Sequence, residues 1–241
     1  MKHVPRIFLY EPLADGSELV LKDETAHHLL NVLRVELGAA LTVFNGEGGE
    51  YAANVTQLGK RDLAVRIGRH QATQRESPLK VTLAQALSRG ERMDYAIQKA
   101  VELGVASIQP LITQHSLRLE QDRALKKITH WQAVAQSAAE QCGRDRVPSV
   151  QPVCALSAWA PGVDAERKLM LDPQGAALKS LAPARSVTLL VGPEGGLGPD
   201  DLQLCEASGF QRVALGPRIL RTETAGAGAL AALQTLWGDL G

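Results

Sequence analysis

Apolar and polar side chains alternate in short runs over the first third of the chain, at residues 7–10, 18–21, 41–44, 51–55 and 63–67. A period of two puts successive side chains on opposite faces of a strand, so each run predicts a half-buried β-strand. Turn-forming residues separate the runs, most densely at Asn45-Gly46-Glu47-Gly48-Gly49. Strands at that spacing predict a small β-barrel. One helical stretch interrupts them. Thr25 is placed to cap a helix through His28, Leu29, Val32 and Leu33, with Gly38 closing it.

After Pro78 the period changes. Runs rich in β-branched and aliphatic residues at 81–87, 107–112, 168–171, 187–191 and 212–215 predict strands. Between them lie helical patterns: one through Met93, Ile97, Ala100, Val101 and Leu103 that stops at Gly104, then 123–141, 176–181, 199–207 and 224–237. Strands alternating with helices predict an α/β domain whose parallel sheet is covered on both faces. The polar stretch from Gln71 to Pro78 carries no apolar period and marks the joint. The expected division is a β-domain over residues 1–72, a linker over 73–79 and an α/β domain over 80–241.

Composition narrows the function classes. Of 241 residues, 45% are hydrophobic and 22% charged, enough for a packed core. The 26 basic and 26 acidic side chains balance, which weighs against a nucleic-acid footprint over the whole surface. Only residues 80–150 are basic, with 10 Lys/Arg against 7 Asp/Glu, so any such footprint is a local patch. Cys142, Cys154 and Cys205 have no paired spacing, so neither a disulfide framework nor a metal site is expected. With no leader and no apolar run near the ~18 residues of a membrane span, the expected location is the cytoplasm, with no membrane partner.

Two loops at predicted strand ends carry the candidate chemistry, because ligands of parallel sheets bind beyond the carboxyl ends of the strands. The first, Val191 to Pro199, holds four glycines and two prolines in nine residues. Such a backbone is rigid and can approach a ligand closely. Pro199 starts a helix with Asp200 and Asp201 in its first turn, which makes phosphate a poor guest there. The second, Leu215 to Gly226, sets Arg218, Arg221 and Glu223 around the apolar pair Ile219-Leu220. On spacing alone, Arg221 and Glu223 can also be a surface pair beside a capping threonine. His27 and His28 diverge by ~100° on a helix and cannot serve one site; one buried and one exposed is the expectation.

Three further blocks accompany these loops: His27-His28-Leu29-Leu30-Asn31-Val32-Leu33-Arg34, the stretch from Glu91-Arg92-Met93-Asp94-Tyr95 to Glu102-Leu103-Gly104, and Ala138-Ala139-Glu140-Gln141-Cys142-Gly143-Arg144. The two loops resemble the signature of the SPOUT superfamily of RNA methyltransferases. All five blocks together resemble the RsmE family, which methylates N3 of a uridine in 16S ribosomal RNA. The resemblance implies a PUA-like N-terminal β-domain and a C-terminal α/β domain tied in a trefoil knot. It also implies S-adenosylmethionine as co-substrate, 16S rRNA of the small ribosomal subunit as partner, and a homodimer. Leu230, Leu233, Leu236 and Trp237 of the last helix suit either a subunit interface or a plain core.

Under that resemblance Leu171, Gly192, Glu194, Gly196, Leu215 and Leu220 are the expected cofactor contacts. An N3 acceptor must lose its imide proton before it can attack a methyl group, so the site needs a base or a cation beside the developing anion. Glu223 is the candidate base, Arg221 the candidate stabiliser and Glu194 the alternative base. Arg34, Arg92, Lys99, Arg144, Arg218 and Arg221 are candidate RNA contacts, since guanidinium groups bind phosphate and stack on unpaired bases; Lys99 can instead pair with Glu102 or Tyr95. The alternatives are a ribose 2′-O methyltransferase of the same superfamily and a non-catalytic RNA-binding assembly factor.

Overall fold

In the computed structural model, which describes residues 4–241, the alternating runs pair into a five-stranded mixed sheet. Its strands are β1 (Arg6–Phe8), β2 (Glu18–Leu21), β3 (Ala40–Phe44), β4 (Glu50–Leu58) and β5 (Leu63–Gln71), in the order β1-β3-β4-β5-β2. Only the β1–β3 pair is parallel. The sheet curls into a half-barrel over Leu41, Val43, Val55, Leu63, Val65 and Ile67, all buried.

The helix in this region starts before Thr25. α1 (Asp23–His27) follows Lys22, whose extended backbone takes the capping position, and the chain continues into a π-helical turn over His28–Val32. Thr25 therefore lies inside the helix. Ala26 and Leu29 fill the core positions, which leaves both His27 and His28 exposed; the expectation of one buried histidine fails because those neighbours take the inward face.

The chain divides into two compact units. The first contains the residues up to Glu76 and also Ala139–Val147. Specific hydrogen bonds account for that second segment. The Phe8 amide donates to Glu140 Oε1 at 2.9 Å, Arg6 donates to the Arg144 carbonyl at 3.2 Å, and Arg75 donates to the Gly143 carbonyl at 2.8 Å.

The second unit holds β6 (Lys80–Ala86), α2 (Arg92–Glu102), β7 (Ser107–Ile112), most of α3 (Gln121–Cys142), β8 (Ser149–Val150), β9 (Cys154–Ala155), α4 (Leu156–Trp159), β10 (Arg167–Ala177), β11 (Ser186–Val191), α5 (Pro199–Ala207), β12 (Gln211–Ala214) and α6 (Thr222–Trp237). Every pair in its sheet is parallel, in the order β12-β10-β11-β6-β7-β8, with β9 also on β7. Central strands such as β11 are buried along nearly their whole length, as a sheet covered on both faces requires. On one face Ala84, Met170 and Leu190 pack with Leu156 of α4 and Cys205 of α5. On the other, α6 lies so close that a Cβ on Gly226 would sit 3.3 Å from Gln85 Oε1.

The helix expected over 176–181 is absent. Ala176 and Ala177 extend β10 by pairing with Val213 and Ala214, and only a 3-10 turn over Leu178–Ser180 follows. Leu178 is the one buried residue in that turn, too little apolar surface to hold a helix against the sheet. Leu230 and Leu233 of α6 are fully buried within this unit, whereas Leu236 is 46% exposed.

Candidate active site

The three strands β10, β11 and β12 end side by side, and the loops that leave them enclose a cavity of about 520 Å3. That size suits a small-molecule site of a few hundred to ~1,000 Å3. β10 contributes Leu171, Asp172 and Pro173, where its register shifts between Leu171 and Ala176 and the intervening residues bulge out. Asp172 is held in place by Arg212 at 3.2 Å and by the Gln174 amide at 2.7 Å.

The loop after β11 supplies Gly192, Pro193, Glu194, Gly196 and Leu197. Gly196 has φ +72°, a left-handed conformation in which a side chain is strained, and its amide closes a turn on the Pro193 carbonyl at 2.9 Å. The loop ends where Asp201 accepts from the Gly198 amide at 3.1 Å and from the Gln114 amide at 3.0 Å. Those bonds use the Asp201 carboxylate to cap α5.

The loop after β12 supplies Leu215, Gly216, Arg218, Ile219, Leu220 and Arg221, and α6 follows with Thr222, Glu223 and Ala225. Ile219 is 87% exposed, a large apolar side chain at the rim of a cavity whose apolar walls include Leu171, Val213, Leu215 and Leu220. A buried polar chain ties this loop to the preceding one. The Gln85 amide donates to the Thr222 hydroxyl at 2.9 Å, and that hydroxyl donates to the Gly192 carbonyl at 2.6 Å.

All six expected cofactor contacts therefore border one cavity, and so do Glu223, Arg221, Arg92 and Arg218. The two candidate bases differ in their surroundings. Glu194 accepts from the Arg89 amide at 3.1 Å and from the Arg92 guanidinium. Burial works to raise its pKa, but these bonds and its own amide outweigh burial and hold the carboxyl below the usual range. Among the described residues Glu223 Oε2 is buried with no hydrogen-bond partner, and its ion-pair partner is Arg92, with Nε at 3.9 Å. Arg92 thus stands between both carboxylates, an arrangement the sequence reading did not anticipate.

Three of the expected RNA contacts lie elsewhere. Arg34 is exposed in the first unit, with φ +51°. Lys99 donates to Glu102 at 2.8 Å and lies 5.9 Å from the centre of the Tyr95 ring. The Arg144 side chain is 7% exposed and spends its guanidinium on Glu76, so no phosphate can reach it without breaking that pair. Asp172, Pro173 and Gln85 were not anticipated, and Ile219 and Thr222 were read as part of the second loop without a role in the site; for Asp172-Pro173 the usable signal is their place directly after a strand.

Among the described residues no group of three or more metal-ligating side chains occurs, and no helix is long and apolar enough to cross a membrane.

An RNA methyltransferase domain profile matches residues 75–234, and an RNA methyltransferase PUA domain profile matches residues 21–68. Ribosomal RNA small subunit methyltransferase E of Buchnera aphidicola is 32% identical, over 99% of this chain and 96% of that protein. The enzyme of the same name from Neisseria gonorrhoeae, solved with S-adenosylmethionine, is 41% identical over 99% of this chain and 100% of that one, with a TM-score of 0.93. A Legionella pneumophila protein, also solved with that cofactor bound, is 38% identical over 99% and 100% of the two chains, with a TM-score of 0.96.

Proposed function

The chain belongs to the RNA methyltransferase family of ribosomal RNA small subunit methyltransferase E, and from that premise we propose that it transfers a methyl group from S-adenosylmethionine to N3 of a uridine in 16S rRNA. Leu171, Gly192, Glu194, Gly196, Leu215 and Leu220 hold the donor. The walls fit it: apolar side chains suit an adenosine, and strand-end loops offer backbone groups for its polar edge. When bound, S-adenosylmethionine supplies an electrophilic methyl group that needs no acid for its departure.

The observation that carries the reading is Glu223, a carboxylate bordering this cavity with one oxygen shielded from water and without a hydrogen bond among the described residues. Such an oxygen calls for a donor from a ligand, and the imide N3–H of uracil is one. Glu223 accepts that proton, and the N3 lone pair so freed bonds the methyl carbon as the methyl–sulfur bond breaks, its electron pair staying on sulfur, which leaves as the neutral thioether S-adenosylhomocysteine. Glu194 is the weaker base, since its amide and arginine partners already stabilise the ionised form. Arg92 holds the two carboxylates in register, and Arg221 is the candidate for the charge that develops on the uracil oxygens.

Residues 1–72 act as the RNA-binding PUA-like part and 80–241 as the transferase, with 73–79 between them. Arg34, Arg92, Arg218 and Arg221 contact the RNA; Lys99 and Arg144 have other partners. The substrate is the rRNA within the small subunit, met in the cytoplasm. The protein acts as a homodimer, for which the exposed Leu236 and Leu240 near the end of α6 are the available apolar surface.

The test is to incubate the protein with labelled S-adenosylmethionine and small subunits from cells lacking this enzyme, then digest the RNA to nucleosides. N3-methyluridine is expected. A 2′-O-methyl nucleoside, or no label, would overturn the reading.

A further inference from the structure

A second cleft, of about 750 Å3, adjoins the first and shares Arg92 and Glu223 with it. Its remaining walls are Arg89, Gly90, Glu91, Tyr95 and Thr224. We infer that this cleft is the acceptor site, which takes an uracil unstacked from its RNA, with the ring lying on Tyr95 and the imide edge turned to Glu223 and Arg92. The inference rests on the uridine reading above and deepens it by naming where the base binds.

Chemistry on a base requires the base to leave its stack, and the enzyme must replace the lost stacking surface. Tyr95 is that surface. It is an aromatic side chain left 47% exposed at the cleft wall, and among the described residues its ring stacks on no other ring; the Lys99 ammonium lies 5.9 Å from its centre.

The edge of uracil presents one donor, N3–H, between two carbonyl acceptors. Its complement is one acceptor flanked by donors, and the cleft provides that set. Among the described residues Glu223 Oε2 accepts no hydrogen bond, the Arg92 guanidinium lies 3.9 Å from it, and the first turns of α2 and α6 begin here with no side chain capping either. Cytosine offers a lone pair at N3 instead of a proton and would meet the carboxylate with repulsion. Sharing Glu223 between the clefts sets the acceptor nitrogen next to the donor pocket, as in-line transfer demands.

The experiment compares wild type, Tyr95→Ala and Tyr95→Phe on small subunits from cells lacking the enzyme. It measures kcat and KM for N3-methyluridine formation, affinity for S-adenosylmethionine, and sedimentation. The expected result is a fall in kcat/KM of roughly five- to a hundredfold for Tyr95→Ala, the worth of one stacked base. Tyr95→Phe should stay within about threefold of wild type, since it keeps the ring. Affinity for S-adenosylmethionine and sedimentation should be unchanged in both. Full activity in Tyr95→Ala would overturn the inference while leaving the uridine reading intact. So would a loss accompanied by weaker donor binding or a changed oligomeric state, which would give Tyr95 a structural or subunit-contact role. Wild type that forms no N3-methyluridine would overturn the reading and this inference together.

Discussion

In the first unit Arg6 and Arg75 both meet Glu50 at 2.9 Å, and the paired side chains of Arg6 and Glu50 are only 12% and 11% exposed. At the cavity of the second unit Arg92 meets Glu194, and these two side chains are each 37% exposed, with Glu223 beyond at 3.9 Å. The Arg6–Glu50 pair is closed on the chain itself, with Arg75 its one exposed member at 42%: Arg6 also donates to the carbonyls of Ala139 and Arg144, which fastens a distant segment to the β-sheet. Asp145, 2% exposed and 3.6 Å from Arg6, adds a second enclosed counter-charge. The cavity cluster is open and borders two clefts; among the described residues Glu223 Oε2 there lacks a hydrogen bond, as both Asp145 oxygens do in the first cluster, but only Glu223 faces a cleft that a ligand can enter. Removing one partner from an enclosed ion pair strands the other without water, whereas an open pair can be resolvated. The same residue types therefore serve stability in one place and ligand chemistry in the other, and enclosure separates the two roles.

Substitutions on either side sharpen that contrast. The largest effect is expected for Arg6→Ala, which leaves Glu50 to Arg75 alone, takes a counter-charge from the enclosed Asp145 and frees two carbonyls: a stability loss of about 3 kcal/mol in urea unfolding. Activity per folded molecule should be near normal. Arg92→Ala should invert this pattern, with methyl transfer reduced about tenfold to a hundredfold, the worth of a charge-assisted hydrogen bond, and an unfolding midpoint close to wild type. A destabilised Arg92→Ala with normal turnover would break the comparison. Next is Thr222→Val, which keeps the shape but leaves the Gln85 amide only its bond to the Ala86 carbonyl and unties the two loops. It should weaken S-adenosylmethionine binding by about tenfold in calorimetry.

The smallest effect is in acid. Burial works to raise the pKa of Glu50, but the hydrogen bonds from Arg75 and Arg6 outweigh it and the net shift is downward from 4.5. A carboxylate with a lowered folded pKa stabilises the fold fully above its unfolded value and loses that contribution as pH falls through the folded one. Wild type should therefore lose stability below about pH 4.5, and Glu50→Gln should show a flatter slope there. Equal slopes would remove Glu50 from the account.

Local punctuation explains what could be read along the chain. The strand at 107–112 and the helix at 199–207 appear with the bounds expected from sequence, because Gly104 and Pro199 mark their edges in any context. The two-residue strands at Ser149–Val150 and Cys154–Ala155 are too short to show a period. The return of Ala139–Val147 to the first unit depends on hydrogen bonds across more than a hundred residues, such as Arg6 to Arg144, and no local pattern records them. At the site, the cofactor loops stood out because glycine and proline concentrate at strand ends. Gln85 and Thr222 did not, being 137 residues apart and ordinary in their own neighbourhoods. Arg144 and Arg92 look alike in sequence, since only the fold shows that one is enclosed by Glu76 and the other borders a cavity.

The central claim is that Glu223 removes the N3 proton, and single-turnover methyl transfer at saturating S-adenosylmethionine tests it most directly in Glu223→Gln. The amide keeps the shape and cannot take the proton. The account predicts a rate about 10²–10⁴-fold below wild type, the usual worth of a positioned base, with donor affinity and unfolding midpoint unchanged. A Glu223→Gln protein that methylates at the wild-type rate would contradict it.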